Sequence, residues 1–160
     1  MDRSSIRFGS HWSGELLAAL GTCQVFVALL SGPYASCHWC GMEWHGFSQR
    51  AVVHKQRGTS AGHQTPIFPV IWAPFPTDLT PLAIRKVQNF SPSGMPGLDL
   101  VAKYEKFGVL GLMQMQRRSA YHATVWALAQ SIADFYHAHR VEPMSFSEEE
   151  LRDVFGEDGL

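Results

Sequence analysis

From Trp12 to Cys23 the apolar side chains return at helical spacing. Trp12, Leu16, Ala19, Leu20 and Cys23 share one face. This predicts a helix over about His11–Leu20, with Ser10 as the N-cap whose hydroxyl accepts from the first free N–H groups. Gly21 suits the left-handed position at the helix end. Polarity then vanishes: Val25–Leu30 reads VFVALL. A continuous apolar run of that length fits a strand buried on both faces, as in a parallel sheet. The next six residues, SGPYAS, carry the adjacent Gly32 and Pro33 of a turn. A second helix is predicted from near Ser36 to about Val53, followed by a polar loop, HKQRGTSAGHQT. A second buried strand is predicted at Ile67–Trp72. Pro69 inside it requires a strand edge or a bulge, because proline offers no N–H to a ladder.

The stretch from Ala73 to Gly97 is rich in proline. It reads as a long loop enclosing one short strand at about Arg85–Phe90, with Val87–Phe90 as its core. Tyr121, Val125, Leu128, Ile132, Phe135 and His139 then fall on one helical face and predict a helix over Ser119–His139. Pro143 lies beyond its end. The tail SFSEEELRDVFG holds a capping box, Ser147 to Glu150, and predicts a short helix ending at Gly156. Apolar strands alternating with helices place the chain in the α/β class with a parallel sheet.

Composition narrows the function classes. At 160 residues the chain holds about one domain. A hydrophobic share of 46% with 17% charged residues is globular rather than disordered. The net charge of −1 offers no electrostatic footprint for nucleic acid. Three cysteines are an odd number and do not form a secreted disulfide framework. The start, MDRSSIRFGS, lacks the apolar region of a signal peptide. The longest mostly apolar run, LLAALGTCQVFVALL, is broken by Gly21, Thr22 and Gln24 and is short for a membrane span. A soluble, cytoplasmic protein is the expectation.

Candidate chemistry concentrates in Ser31–Trp44, SGPYASCHWCGMEW. Cys37 and Cys40 have C-x-x-C spacing at a helix start, where a thiol pKa falls. However, only His38 and Trp39 lie between them. The same cysteines with His45, His54 and His63 could be grouped as zinc ligands, but structural zinc sites show two tightly spaced pairs and only one exists here. The expectation is reduced packing cysteines and no metal. The third candidate is Glu43. On a helix it shares a face with Trp39 four residues before it, with Phe47 one turn on. It follows the carboxyl end of a strand, where open α/β sheets bind ligands.

The segment LLSGPYASCHWCGMEW resembles the TIR-domain pattern in which S-P-x-Y, a small residue and Ser lead into W-C-x-x-E. Here Gly32 displaces the proline by one position. Asp2–Ser31 resembles the TIR stretch from the BB loop through its helix into the third strand. PIFPVIWAP looks like the fourth strand and LAIRKVQNF like the fifth. YEKFGVLGLMQM and YHATVWALAQSIADF resemble the last helix of bacterial TIR-like proteins. The resemblance implies a flavodoxin-like TIR fold that lacks its first strand, first helix and second strand. It divides the chain into a partial TIR-like domain, 1–140, and a tail with a short helix, 141–160.

Some TIR domains cleave NAD at the nicotinamide–ribose bond with the glutamate of W-C-x-x-E. That role carries over to Glu43, with NAD as substrate and no resident cofactor. Cationic nicotinamide leaves without a general acid, so one carboxylate can support the oxocarbenium-like ribosyl centre. The resemblance places Trp39 in the cavity wall and Trp12 across from it, where it could stack on a ring of the substrate. The alternative it implies is an interaction module or inactive fragment. In that reading Arg3–Ser10, the BB-loop region, docks on other TIR domains or on a second copy in signal transduction. The absent strand would normally lie beside Val25–Leu30. Its absence implies an uncovered apolar edge and little NAD cleavage by the isolated chain.

Overall fold

The computed structural model describes residues 14–62, 64–93 and 99–156. Its centre is a parallel pair of strands, β1 (Phe26–Leu30) and β3 (Ile67–Ile71), in register from Phe26 opposite Ile67 to Leu30 opposite Ile71. The apolar runs Val25–Leu30 and Ile67–Trp72 therefore form the expected strands, side by side and parallel. Parallel partners need a crossover connection. It is made here by α2 (Gly32–Ala35), α3 (His38–Ser48), a short strand β2 (Val52–His54) and the polar loop.

Strand alternation sorts the side chains into two faces. Ala28 and Leu30 bury with Leu20 of α1 (Gly14–Thr22) and with Met42, Trp44 and Phe47 of α3. Val27 and Val70 pack on the other side with Tyr104 and Val109 of α5 (Leu100–Gln114) and Leu128 of α6 (Arg118–Ala138). Helices cover both faces, so the fold class is α/β with a small parallel sheet. Among the described residues no helix is long and apolar enough to cross a membrane.

Pro69 is tolerated for a reason visible in the ladder. The amide of Phe26 donates to the Pro66 carbonyl, and that of Trp72 to the Leu30 carbonyl. By alternation, residues 66, 68, 70 and 72 of this segment face β1, while Ile67, Pro69 and Ile71 face outward. The missing N–H of Pro69 thus falls on an edge, as its position required.

The same edge explains why Val87–Phe90 is not a strand. Leu82–Arg85 is a single helical turn, α4, that follows Pro81, and among the described residues one backbone hydrogen bond joins the next segment to β3, from the Phe90 amide to the Pro69 carbonyl at 2.8 Å. A ladder cannot continue from it. Pro69 has no donor, and the outward amide of Ile71 already donates to the Tyr104 hydroxyl at 2.7 Å.

Three further expectations are corrected. The helix predicted through Val53 stops at Ser48, and Val52–His54 pairs antiparallel with β4 (His139–Val141). The β-branched pair Val52–Val53 favours that strand, and Arg50 anchors the turn before it. Its buried guanidinium donates to the carbonyls of Leu20 (3.0 Å), Cys23 and Glu142 (3.1 Å). Gly21 is not a left-handed cap. It lies inside α1, where its carbonyl accepts from the Met144 amide and any Cβ would clash with the Met144 carbonyl. The tail forms one 3-10 turn, Glu148–Glu150, with the Ser147–Glu150 capping box present, but no helix to Gly156. The Asp153 carboxylate accepts from the amides of Phe155 and Gly156, a local turn that competes with helix. Leu151 and Phe155 meanwhile anchor in the core beneath α3.

Gly108 gives α5 its shape. It adopts φ 62° and ψ 176°, a conformation open essentially to glycine alone. The kink lets the Leu110 amide donate to the Trp72 carbonyl at 3.0 Å, which caps the carboxyl end of β3.

Candidate functional site

The chain leaves β1 through Ser31, whose hydroxyl accepts from the Tyr34 amide and opens α2 with proline in its first turn. Cys37 then caps α3: its sulfur accepts from the Cys40 amide at 3.4 Å. Two short capped segments therefore fold Tyr34 back toward the first turns of α3. All three cysteines are free thiols.

This fold-back assembles a small cluster of ionisable groups. Glu43 is half-buried, and burial holds its carboxyl above the ordinary carboxylate range. No group among the described residues hydrogen-bonds that carboxylate. Burial also pushes the Tyr34 hydroxyl well up, with further contributions from Cys40, Glu43 and Cys37. That hydroxyl is buried without a hydrogen-bond partner among the described residues. The Cys40 thiol is raised by burial first and then by its hydrogen bond with Cys37. Neither raised thiol nor phenol is a nucleophile near neutrality. What the cluster offers chemically is one carboxylate in a water-poor setting, where its field acts more strongly than in water.

Trp39 stands one turn before Glu43 on α3, as the spacing predicted, and its side chain is 42% exposed. Its ring meets His38 edge-on, and His38 Nδ1 lies 3.0 Å from the Asp153 carboxylate. Trp12, Ser10 and the rest of Arg3–Ser10 lie outside the described residues, as does His63. The other suggested zinc ligands go separate ways. His45 Nδ1 accepts from the Arg152 amide, while the His54 ring lies tilted against that of His139. No three His, Cys, Asp or Glu side chains converge among the described residues.

A cavity of about 400 Å³ does open at the carboxyl ends of the strands. Leu30, Ile71, Phe75, Ile84, Arg85 and Glu105 line it. Neither Glu43 nor Trp39 does, although Phe75 and Tyr34 pack against the same core. The residues that sequence reasoning missed are therefore Tyr34 beside Glu43, and the pair Arg85 and Glu105 in the cavity. Tyr34 stood within the quoted motif. Arg85 and Glu105 are twenty residues apart in sequence, and no local spacing links them. Compared with known proteins, the chain matches no family model, no curated protein and no solved structure.

Proposed function

We propose that this chain supplies the carboxylate of a TIR-like site that cleaves NAD at the nicotinamide–ribose bond. One observation carries the reading. Glu43 is desolvated in the middle of α3, without a hydrogen-bond partner among the described residues. Burying a carboxylate that nothing compensates costs stability, and sites that stabilise developing cationic charge are where such a cost is useful. In this reading Glu43 faces the ribosyl centre as nicotinamide departs, and its negative charge stabilises the oxocarbenium-like state. Trp39, one turn away and partly exposed, offers a flat apolar wall to a ring of the substrate.

The test is nicotinamide release from NAD by the purified chain. Slow release is expected, and both Glu43→Ala and Glu43→Gln abolish it with circular dichroism unchanged. No release, or a rate that Glu43→Ala leaves intact, refutes the proposal.

A further inference from the structure

The two edges of the β1–β3 sheet are finished differently. The outer edge of β3 is closed: Pro69 has no donor, the Pro69 carbonyl accepts from Phe90, and the Ile71 amide reaches the Tyr104 hydroxyl. The outer edge of β1 has no partner strand among the described residues. Phe26 and Leu30 bond toward β3, so Val25, Val27 and Leu29 turn their amides and carbonyls the other way. None of those groups has a partner among the described residues. The segment Val25–Leu30 also carries no lysine, proline or charge of the kind that guards edge strands.

The side chains next to this edge are apolar too. Val27 packs toward α6, and by alternation Leu29 points the same way, yet Leu29 is 43% exposed. On α6, Ala120 and Ala123 pack against Leu100 and Leu112 of α5. The opposite flank of the helix carries Val125, Ala129 and Ile132, with Val125 and Ala129 exposed.

We infer that this edge pairs with the same edge of a second copy of the chain. The pairing is antiparallel, across a two-fold axis through Val27. Such an axis sets Val27 opposite Val27 and Val25 opposite Leu29, each pair exchanging both outward hydrogen bonds. The result is one continuous sheet in the order β3-β1-β1-β3, with the two α6 flanks side by side. The edge suits itself. Its donors and acceptors are self-complementary under the two-fold, and without charge it meets no like-charge repulsion. Size is adequate as well. A strand edge about 20 Å long on a three-layer wall about 30 Å thick gives about 600 Å² a side. That reaches the lower bound of about 1,200 Å² in total for a specific interface. The inference does not depend on the role of Glu43.

Sedimentation velocity and light scattering across a concentration series test it, with amide exchange at Val27 and Leu29 read in parallel. The expected result is a dimer whose Val27 and Leu29 amides are protected. Leu29→Lys puts a charge into the apolar seam. Leu29→Pro removes an amide with no partner among the described residues, as Pro69 does on β3. Each raises the dissociation constant at least tenfold, while Leu79→Lys, on an exposed turn elsewhere, leaves it unchanged. A monomer throughout the series overturns the inference. Protected edge amides would then assign the edge to another part of the same chain, and unprotected ones would leave it open. A dimer that both Leu29 variants retain also overturns it, by placing the interface elsewhere.

Discussion

Arg50 is the residue whose removal tests the architecture most directly. It is 4% exposed and ties together the end of α1, the turn after α3 and the strand β4 through three backbone carbonyls. Its guanidinium also lies 5.2 Å from the centre of the Phe47 ring. Hydrogen bonds to a charged group are worth about 1.5–3 kcal/mol each when one partner is deleted. Three of them set an upper limit of about 9 kcal/mol. Several effects reduce it. Burying a guanidinium costs several kcal/mol, and the substitution recovers that cost. One of its nitrogens, Nη2, is buried without a hydrogen-bond partner among the described residues. Cys23 is exposed, so water can reach its carbonyl. The Leu20 carbonyl lies in the buried part of the contact and stays unsatisfied. Arg50→Ala should therefore cost about 2–4 kcal/mol, which for a chain of this size lowers Tm by about 10 °C. Thermal unfolding followed by circular dichroism measures it. Arg140→Ala is the control, since its pair with Glu142 is an exposed ion pair worth about 0.5 kcal/mol. A shift below about 2 °C for Arg50→Ala would show that the three carbonyls find other partners and that the guanidinium does not hold these elements together.

Two other outcomes follow from the same accounting. Tyr104→Phe strands the Ile71 amide at the closed sheet edge and should cost about 1–3 kcal/mol, with faster exchange at Ile71; unchanged exchange there would show that the hydroxyl is not the acceptor. For Glu43, burial places the folded-state pKa above the ordinary value of 4.5. Between those two values the folded state holds the proton more tightly, so stability falls as pH rises through that window and the penalty persists above it. Glu43→Gln should be more stable than the wild type at pH 7 and equal to it at about pH 3. Denaturant unfolding at the two pH values checks this, and a Gln variant less stable than wild type at pH 7 would contradict the burial argument.

The proposed site was legible only along one helix. Trp39 and Glu43 were linked by their four-residue spacing, because a helix converts sequence distance into a shared face. Tyr34 was not linked to them, since it reaches Glu43 through the two capped turns at Ser31 and Cys37. The cavity at the strand ends draws Leu30, Ile71, Arg85 and Glu105 from four separate segments, and no pattern in the chain joins those segments.

By itself, the amino-acid sequence determined which segments had to be buried and at what period. Val25–Leu30 and Ile67–Trp72 became parallel neighbours, Ser119–His139 became the long helix except for His139, which opens β4, and Ser147–Glu150 capped its own turn. The tertiary structure alone decided where each remaining donor and acceptor went. Arg50 ends one helix by bonding carbonyls thirty residues before it and ninety-two after it. Tyr104 closes the β3 edge from thirty-three residues away, and with Pro69 it denies Val87–Phe90 a ladder. Met144 holds Gly21 in helical rather than left-handed backbone. Local periodicity states that a backbone group needs a partner. Which partner it finds depends on what the rest of the chain brings beside it.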